Sequence, residues 1–231
     1  MKKYRYVYFD LDSTLWDYEN NATKALSVLY EKYVLEKYFQ VFAQFRMLFF
    51  KYNEILWEDY REGRLQKDLL RTRRFEMCFN EVGFEDPGLS EELNTEFLNI
   101  SPRSEALMPG TLEILEYLRE KKYRLFIITN GFTHIQKLKI KHTGLEGFFE
   151  KMFTSDNVGA HKPHRSMFDY CIKSVHAKKA ESIMIGDDLK VDILGAKACG
   201  IDQVYYNPSK LIHSEVITYE IEHLLDLKKI L

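Results

Sequence analysis

Two carboxylates one residue apart close an apolar run in Tyr6-Val7-Tyr8-Phe9-Asp10-Leu11-Asp12-Ser13-Thr14. Tyr6 to Phe9 reads as a buried strand. In open α/β sheets, residues just past a strand's carboxyl end face the ligand crevice. Carboxylates this close repel, so they call for a positive companion, most simply a divalent cation. The motif by itself suggests phosphate chemistry with Mg²⁺. Three more polar clusters follow strand-like runs: Thr129-Asn130-Gly131, then Lys162 in a polar loop, then Gly186-Asp187-Asp188 with Asp192 beyond. Singly, each reads as a turn or helix cap. Jointly they contain a nucleophile candidate, an acid/base, phosphate donors and metal ligands.

Strand–helix alternation is what must bring these clusters together. Tyr123 to Ile128, Lys151 to Thr154, Ser182 to Ile185 and Gln203 to Tyr206 are expected as strands, the last of them closing the sheet. Between them, Leu112, Leu115 and Leu118 mark one helix, and Phe168, Cys171, Ile172 and Val175 a second. Val191, Leu194 and Ala198 mark a third, with Gly200 as its left-handed terminator. The pattern predicts an α/β fold: a doubly wound, mainly parallel Rossmann-like sheet with helices on both faces. Residues 18–103 break the alternation and read as helices only, an α-helical cap inserted into a catalytic core of residues 1–17 and 104–231. In that insertion the stripe Phe42, Phe45, Phe49, Tyr52 and Leu56 has the spacing of a buried helix face. Tyr219 to Leu231 is expected as a terminal amphipathic helix.

Composition removes several classes. The net charge of −2, from 33 basic and 35 acidic residues, gives no basic excess for nucleic acid. Cys78, Cys171 and Cys199 are too scattered for a disulfide framework or a zinc site. No stretch has the roughly 20 apolar residues of a membrane span. These features suit a cytoplasmic protein; the expected partner is a small-molecule phosphate ester, with neither nucleic acid nor membrane, and the expected state a monomer or small homo-oligomer.

The motif Asp10-Leu11-Asp12-Ser13-Thr14 resembles the DxDx[TV] signature of the haloacid dehalogenase-like hydrolase superfamily, and Thr129, Lys162 and Gly186-Asp187 to Asp192 follow in that superfamily's order. The resemblance covers essentially the whole chain, and the all-helical insertion resembles the subfamily with an α cap. Ile127 to Thr133, Val158 to Pro163, Asp192 to Gly195 and Leu56 to Tyr60 are similar to the YjjG-type pyrimidine 5′-nucleotidases. Ser13 stands where several of those carry Glu, and His161 where a small residue is usual. Neither is a catalytic position.

The resemblance implies a Mg²⁺-dependent phosphatase that hydrolyses nucleoside 5′-monophosphates. Asp10 would be the nucleophile, forming an aspartyl-phosphate, and Asp12 the general acid/base. Asp10, Asp187 and the backbone carbonyl of Asp12 would hold Mg²⁺, with Asp192 orienting a water or Lys162. Thr129, Asn130, Gly131 and Lys162 would bind the phosphate, Lys162 also neutralising Asp10. Asp188 is either a helix cap or a contact to a metal-bound water. Asp12 separates this chain from the dehalogenases, which lack it and need no metal. Two other readings share these motifs: a phosphatase or phosphomutase for a sugar phosphate or phosphoglycolate, and an aspartyl-phosphate switch protein.

Overall fold

The computed structural model describes residues 3–231. The chain falls into two compact units, Met1–Tyr18 with Glu105–Leu231, and Glu19–Ser104.

The larger unit is built on a six-stranded sheet, parallel throughout: β1 (Tyr6–Phe9), β2 (Arg124–Thr129), β3 (Lys151–Thr154), β4 (Ser182–Gly186), β5 (Asp202–Tyr206) and β6 (Tyr219–Ile221). Their order is β3-β2-β1-β4-β5-β6, so the winding reverses between β1 and β4. Period-2 alternation sorts β1 between two cores. Val7 and Phe9 point to one, with Leu115 and Leu118 of a helix at Thr111–Glu120 and the C-terminal Leu224 and Leu227. Tyr6 and Tyr8 point to the other, with Phe168, Cys171 and Ile172 of a helix at Arg165–Ser174. Both faces of the sheet are covered, as parallel sheets require. The three cysteines are free and buried. Among the described residues no helix is long and apolar enough to cross a membrane.

Four expectations need correction. Gln203 to Tyr206 is not in the last strand, and Tyr219 to Leu231 is not a helix: Tyr219–Ile221 adds β6 beside β5, and Leu224–Lys229 is a short 3₁₀ segment. Apolar residues at 221, 224 and 227 mimic a helical stripe, but the β-branched run before Tyr219 favours extension. Leu112 is 47% exposed, and Ile114 takes its place in the core beside Leu115. Ala198 is also exposed, because residues Leu189–Leu194 form a π-helical turn. The extra residue of that turn rotates the following helix, so that Ile193, Ala196 and Cys199 are buried instead.

The second unit contains α1 (Tyr18–Lys32, begun by the last residue of the larger unit), α2 (Phe42–Arg61), α3 (Lys67–Glu81) and α4 (Pro87–Ile100). Its interior is aromatic: Phe49 of α2 lies 5.3 Å from Phe75 of α3 and 4.8 Å from Phe97 of α4, centroid to centroid. The stripe Phe45, Phe49, Tyr52 and Leu56 is therefore core of this unit. Arg74 enters that core, its guanidinium donating to Asn53 (3.3 Å) and Asn94 (3.4 Å) beside the rings of Phe49 and Phe97. Buried polar groups need such partners.

Candidate active site

Parallel strands that all end on one edge bring the four sequence clusters to one place. Asp10 follows β1 at the centre of the sheet, and its N–H donates to Ile185 of β4 at 2.9 Å. Asp187 follows β4 across the point where the winding reverses, the usual place for a ligand crevice. Carboxylate oxygens of Asp10, Asp187 and Asp192 lie within 4.8 Å of one another. Lys162, only 2% exposed, sits among them with its Nζ 2.5 Å from Asp10 and 2.7 Å from Asp192.

Each member is fixed by neighbours. Thr14 donates its hydroxyl to Asp187 at 2.7 Å. Lys162 is gripped through its backbone: its N–H donates to Oδ1 of Asn130 (2.7 Å), and Nδ2 of Asn130 donates to its carbonyl (2.9 Å). The second oxygen of Asp192 accepts from the N–H of Asp188 at 3.2 Å. Asp192 approaches β4 so closely that a Cβ on Gly186 would fall 2.3 Å from its carboxylate, leaving room for glycine alone. Asp188 accepts from the N–H groups of Lys190 and Val191, both at 2.9 Å, and so caps the turn that carries Asp192.

The electrostatics follow from burial. Desolvation pushes the carboxyls of Asp10, Asp187 and Asp192 upward, that of Asp187 to about 7 with the charge of Asp192 adding to it. Burial works against the charge of Lys162, but attraction to Asp10 and Asp192 outweighs it and holds the lysine protonated. Fully ionised, three carboxylates face one ammonium, and buried like charges need compensation. Hard oxygen donors in this number suit a small divalent cation.

Asp12 is turned elsewhere. Its Oδ1 pairs with Nζ of Lys139 at 2.5 Å, and its Oδ2 accepts from Nε2 of Gln136 at 2.9 Å. Gln136 also donates to Oγ1 of Thr129 at 2.6 Å. The N–H of Gly131, read from the sequence as a phosphate donor, donates to that same Thr129 hydroxyl at 3.0 Å. Sequence reasoning missed Thr14, Gln136 and Lys139. The sequence carries no signal for the last two: on the helix Thr133–His142, Lys139 is the same residue type as the exposed Lys137 and Lys141, and only the fold buries it with Gln136. Trp57 stands edge-on to Tyr60, and Arg64 pairs with Asp59 at 2.6 Å, all within the helical unit.

Residues 4–200 match the haloacid dehalogenase-like hydrolase family. The chain is 32% identical over its full length to 97% of a protein of Bacillus subtilis named as a HAD-hydrolase, YfnB. The crystal structure of that protein bound to magnesium superimposes with a TM-score of 0.89, covering 99% of each chain at 28% identity. Pyrimidine 5′-nucleotidase YjjG of Escherichia coli is 28% identical, over 99% of this chain and 98% of the relative. A glyceraldehyde 3-phosphate phosphatase of Pyrococcus abyssi is 31% identical, over 97% and 92%.

Proposed function

This chain belongs to the haloacid dehalogenase-like hydrolase family, and we propose that it is a Mg²⁺-dependent phosphatase of nucleoside 5′-monophosphates working through an aspartyl-phosphate on Asp10. The observation that carries the reading is the buried cluster of Asp10, Asp187 and Asp192 around Lys162, at the point where the sheet's winding reverses. Asp10 and Asp187, with the backbone carbonyl of Asp12, would hold Mg²⁺. When bound, the ion shields the anionic nucleophile from the anionic phosphate and stabilises charge on the transferring oxygens.

The chain's own residues do the rest. A carboxylate oxygen of Asp10 bonds to phosphorus as the bond to the leaving oxygen breaks. Asp12 gives that oxygen a proton, then takes one from the water that hydrolyses the aspartyl-phosphate. Its side chain is 31% exposed, so its carboxyl is open to the leaving oxygen. Thr129 accepts from Gly131 and Gln136, so its own hydroxyl proton is left for a phosphoryl oxygen. The N–H of Asn130 and the ammonium of Lys162 add positive charge at those oxygens. Gly131 serves the phosphate indirectly, by fixing Thr129. Asp192 holds Lys162 in place. The helical unit Glu19–Ser104 is the proposed cap, which sets specificity and limits water.

Similarity to YjjG favours a pyrimidine nucleotide as substrate. Similarity to a glyceraldehyde 3-phosphate phosphatase favours a second reading, a small sugar or triose phosphate. Phosphate release from a panel of both classes, with Mg²⁺ and then with EDTA, separates them. Greatest turnover of uridine or thymidine monophosphates, lost in EDTA, is the expected result; turnover confined to sugar phosphates would overturn the nucleotide assignment. Asp10→Asn should lower the rate at least about a thousandfold while the protein stays folded.

A further inference from the structure

Lys139 is 6% exposed and Gln136 fully buried, an unusual way to use polar residues unless they have partners. Their partner is Asp12. Lys139 reaches Oδ1 at 2.5 Å while its ammonium also lies 4.3 Å from the ring centroid of the buried Trp16. Gln136 reaches Oδ2 at 2.9 Å and, with the same amide nitrogen, Thr129 at 2.6 Å. The backbone beneath Asp12 is fixed too. Ser13 turns in the left-handed region (φ 62°), donates to the Trp16 carbonyl at 2.8 Å, and so folds the segment back on itself.

We propose that Gln136 and Lys139 are positioning residues for proton transfer: one pins each oxygen of Asp12, and Gln136 ties that carboxyl to the hydroxyl that binds phosphate. A carboxylate has about four acceptor sites, so the two pins leave room on each oxygen for the leaving group's oxygen. The proton that Asp12 gives to that oxygen is recovered from the hydrolytic water, and the pins gain and lose none. The shared contact of Gln136 sets the distance between acid and phosphate site, where a displacement of about 1 Å can cost a hundredfold. The proposal rests on the reading of Asp12 as the acid/base.

The test compares kcat/KM for uridine 5′-monophosphate, whose alkoxide must be protonated to leave, with that for p-nitrophenyl phosphate, whose phenolate leaves unaided. This ratio covers only the steps through departure of the leaving group, so the later base step does not mask the result. Asp12→Ala is measured first: loss of about 10²- to 10⁴-fold on the nucleotide with a much smaller loss on the aryl ester establishes the acid. If it slows both equally, the acid/base reading itself fails. Given that result, Lys139→Met and Gln136→Met should each slow the nucleotide about 10- to 100-fold and the aryl ester several times less. Lys139→Arg should recover part of the loss. In an Asp12→Ala background, Lys139→Met should cost nothing further. Equal slowing of both esters, or losses that add to that of Asp12→Ala, would overturn the proposal. So would failure of both methionine variants to fold, since the pair would then serve the fold alone.

Discussion

Asp187 shows what it costs to gather acids at a strand end. Burial and Asp192 raise its carboxyl from 3.8 to about 7. Between those values the folded chain binds more protons than the unfolded one, so stability falls as pH rises through that window and levels off above it. A divalent cation that binds the ionised form reverses the trend. With EDTA present, Tm should therefore fall between about pH 4 and pH 7 by several degrees, since each kcal/mol shifts it about 2–4 °C in a chain of this size. Mg²⁺ should raise Tm most at the alkaline end, and Asp187→Asn should flatten the slope. Thermal melts across pH check this, and an unchanged slope in the variant would contradict it. At this scale Asp10, Asp12, Thr129, Lys162 and Asp187 were legible because each follows an apolar run or its loop. Lys139 was not: it meets Asp12 across 127 residues, and on its own helix it looks like one more solvated lysine.

Among the elements, the turn after β4 is the most demanding. Asp188 caps it, the π-helical segment Leu189–Leu194 follows, and Asp192 is carried back against Gly186 and Lys162. Gly186→Ala should push Asp192 away from Lys162, costing about 1–3 kcal/mol by overpacking and lowering kcat as Lys162 loses its support. Urea unfolding with parallel assays tests this; a variant of wild-type stability and rate would show that the close approach is dispensable. The strand–helix alternation was readable because apolar runs and caps punctuate it. The π turn was not, since one added residue leaves the composition unchanged while rotating the helix face from Ala198 to Ala196 and Cys199. β6 was hidden for a related reason: its three residues borrow their apolar spacing from the 3₁₀ segment that follows.

For the whole molecule, the order β3-β2-β1-β4-β5-β6 matters most. It sets β1 beside both β2 and β4, so that Asp10, Thr129 and Asp187, far apart in sequence, end on adjacent strands. The sheet could be anticipated because parallel α/β units admit few topologies. The substrate was less legible, since the motifs carry chemistry common to many phosphate esters, and relatives named for a nucleotide and for a triose phosphate resemble this chain about equally. The central claim, a phosphoryl group carried on Asp10, does not depend on which ester is preferred. Rapid mixing of the enzyme with Mg²⁺ and its best substrate, acid quenching within the first turnover, and mass spectrometry of the digested protein tests it most directly. The expected result is a mass increase of one phosphoryl group on the peptide containing Asp10, absent in Asp10→Asn. Undiminished turnover by that variant, with no phosphorylated peptide in the wild type, would contradict it.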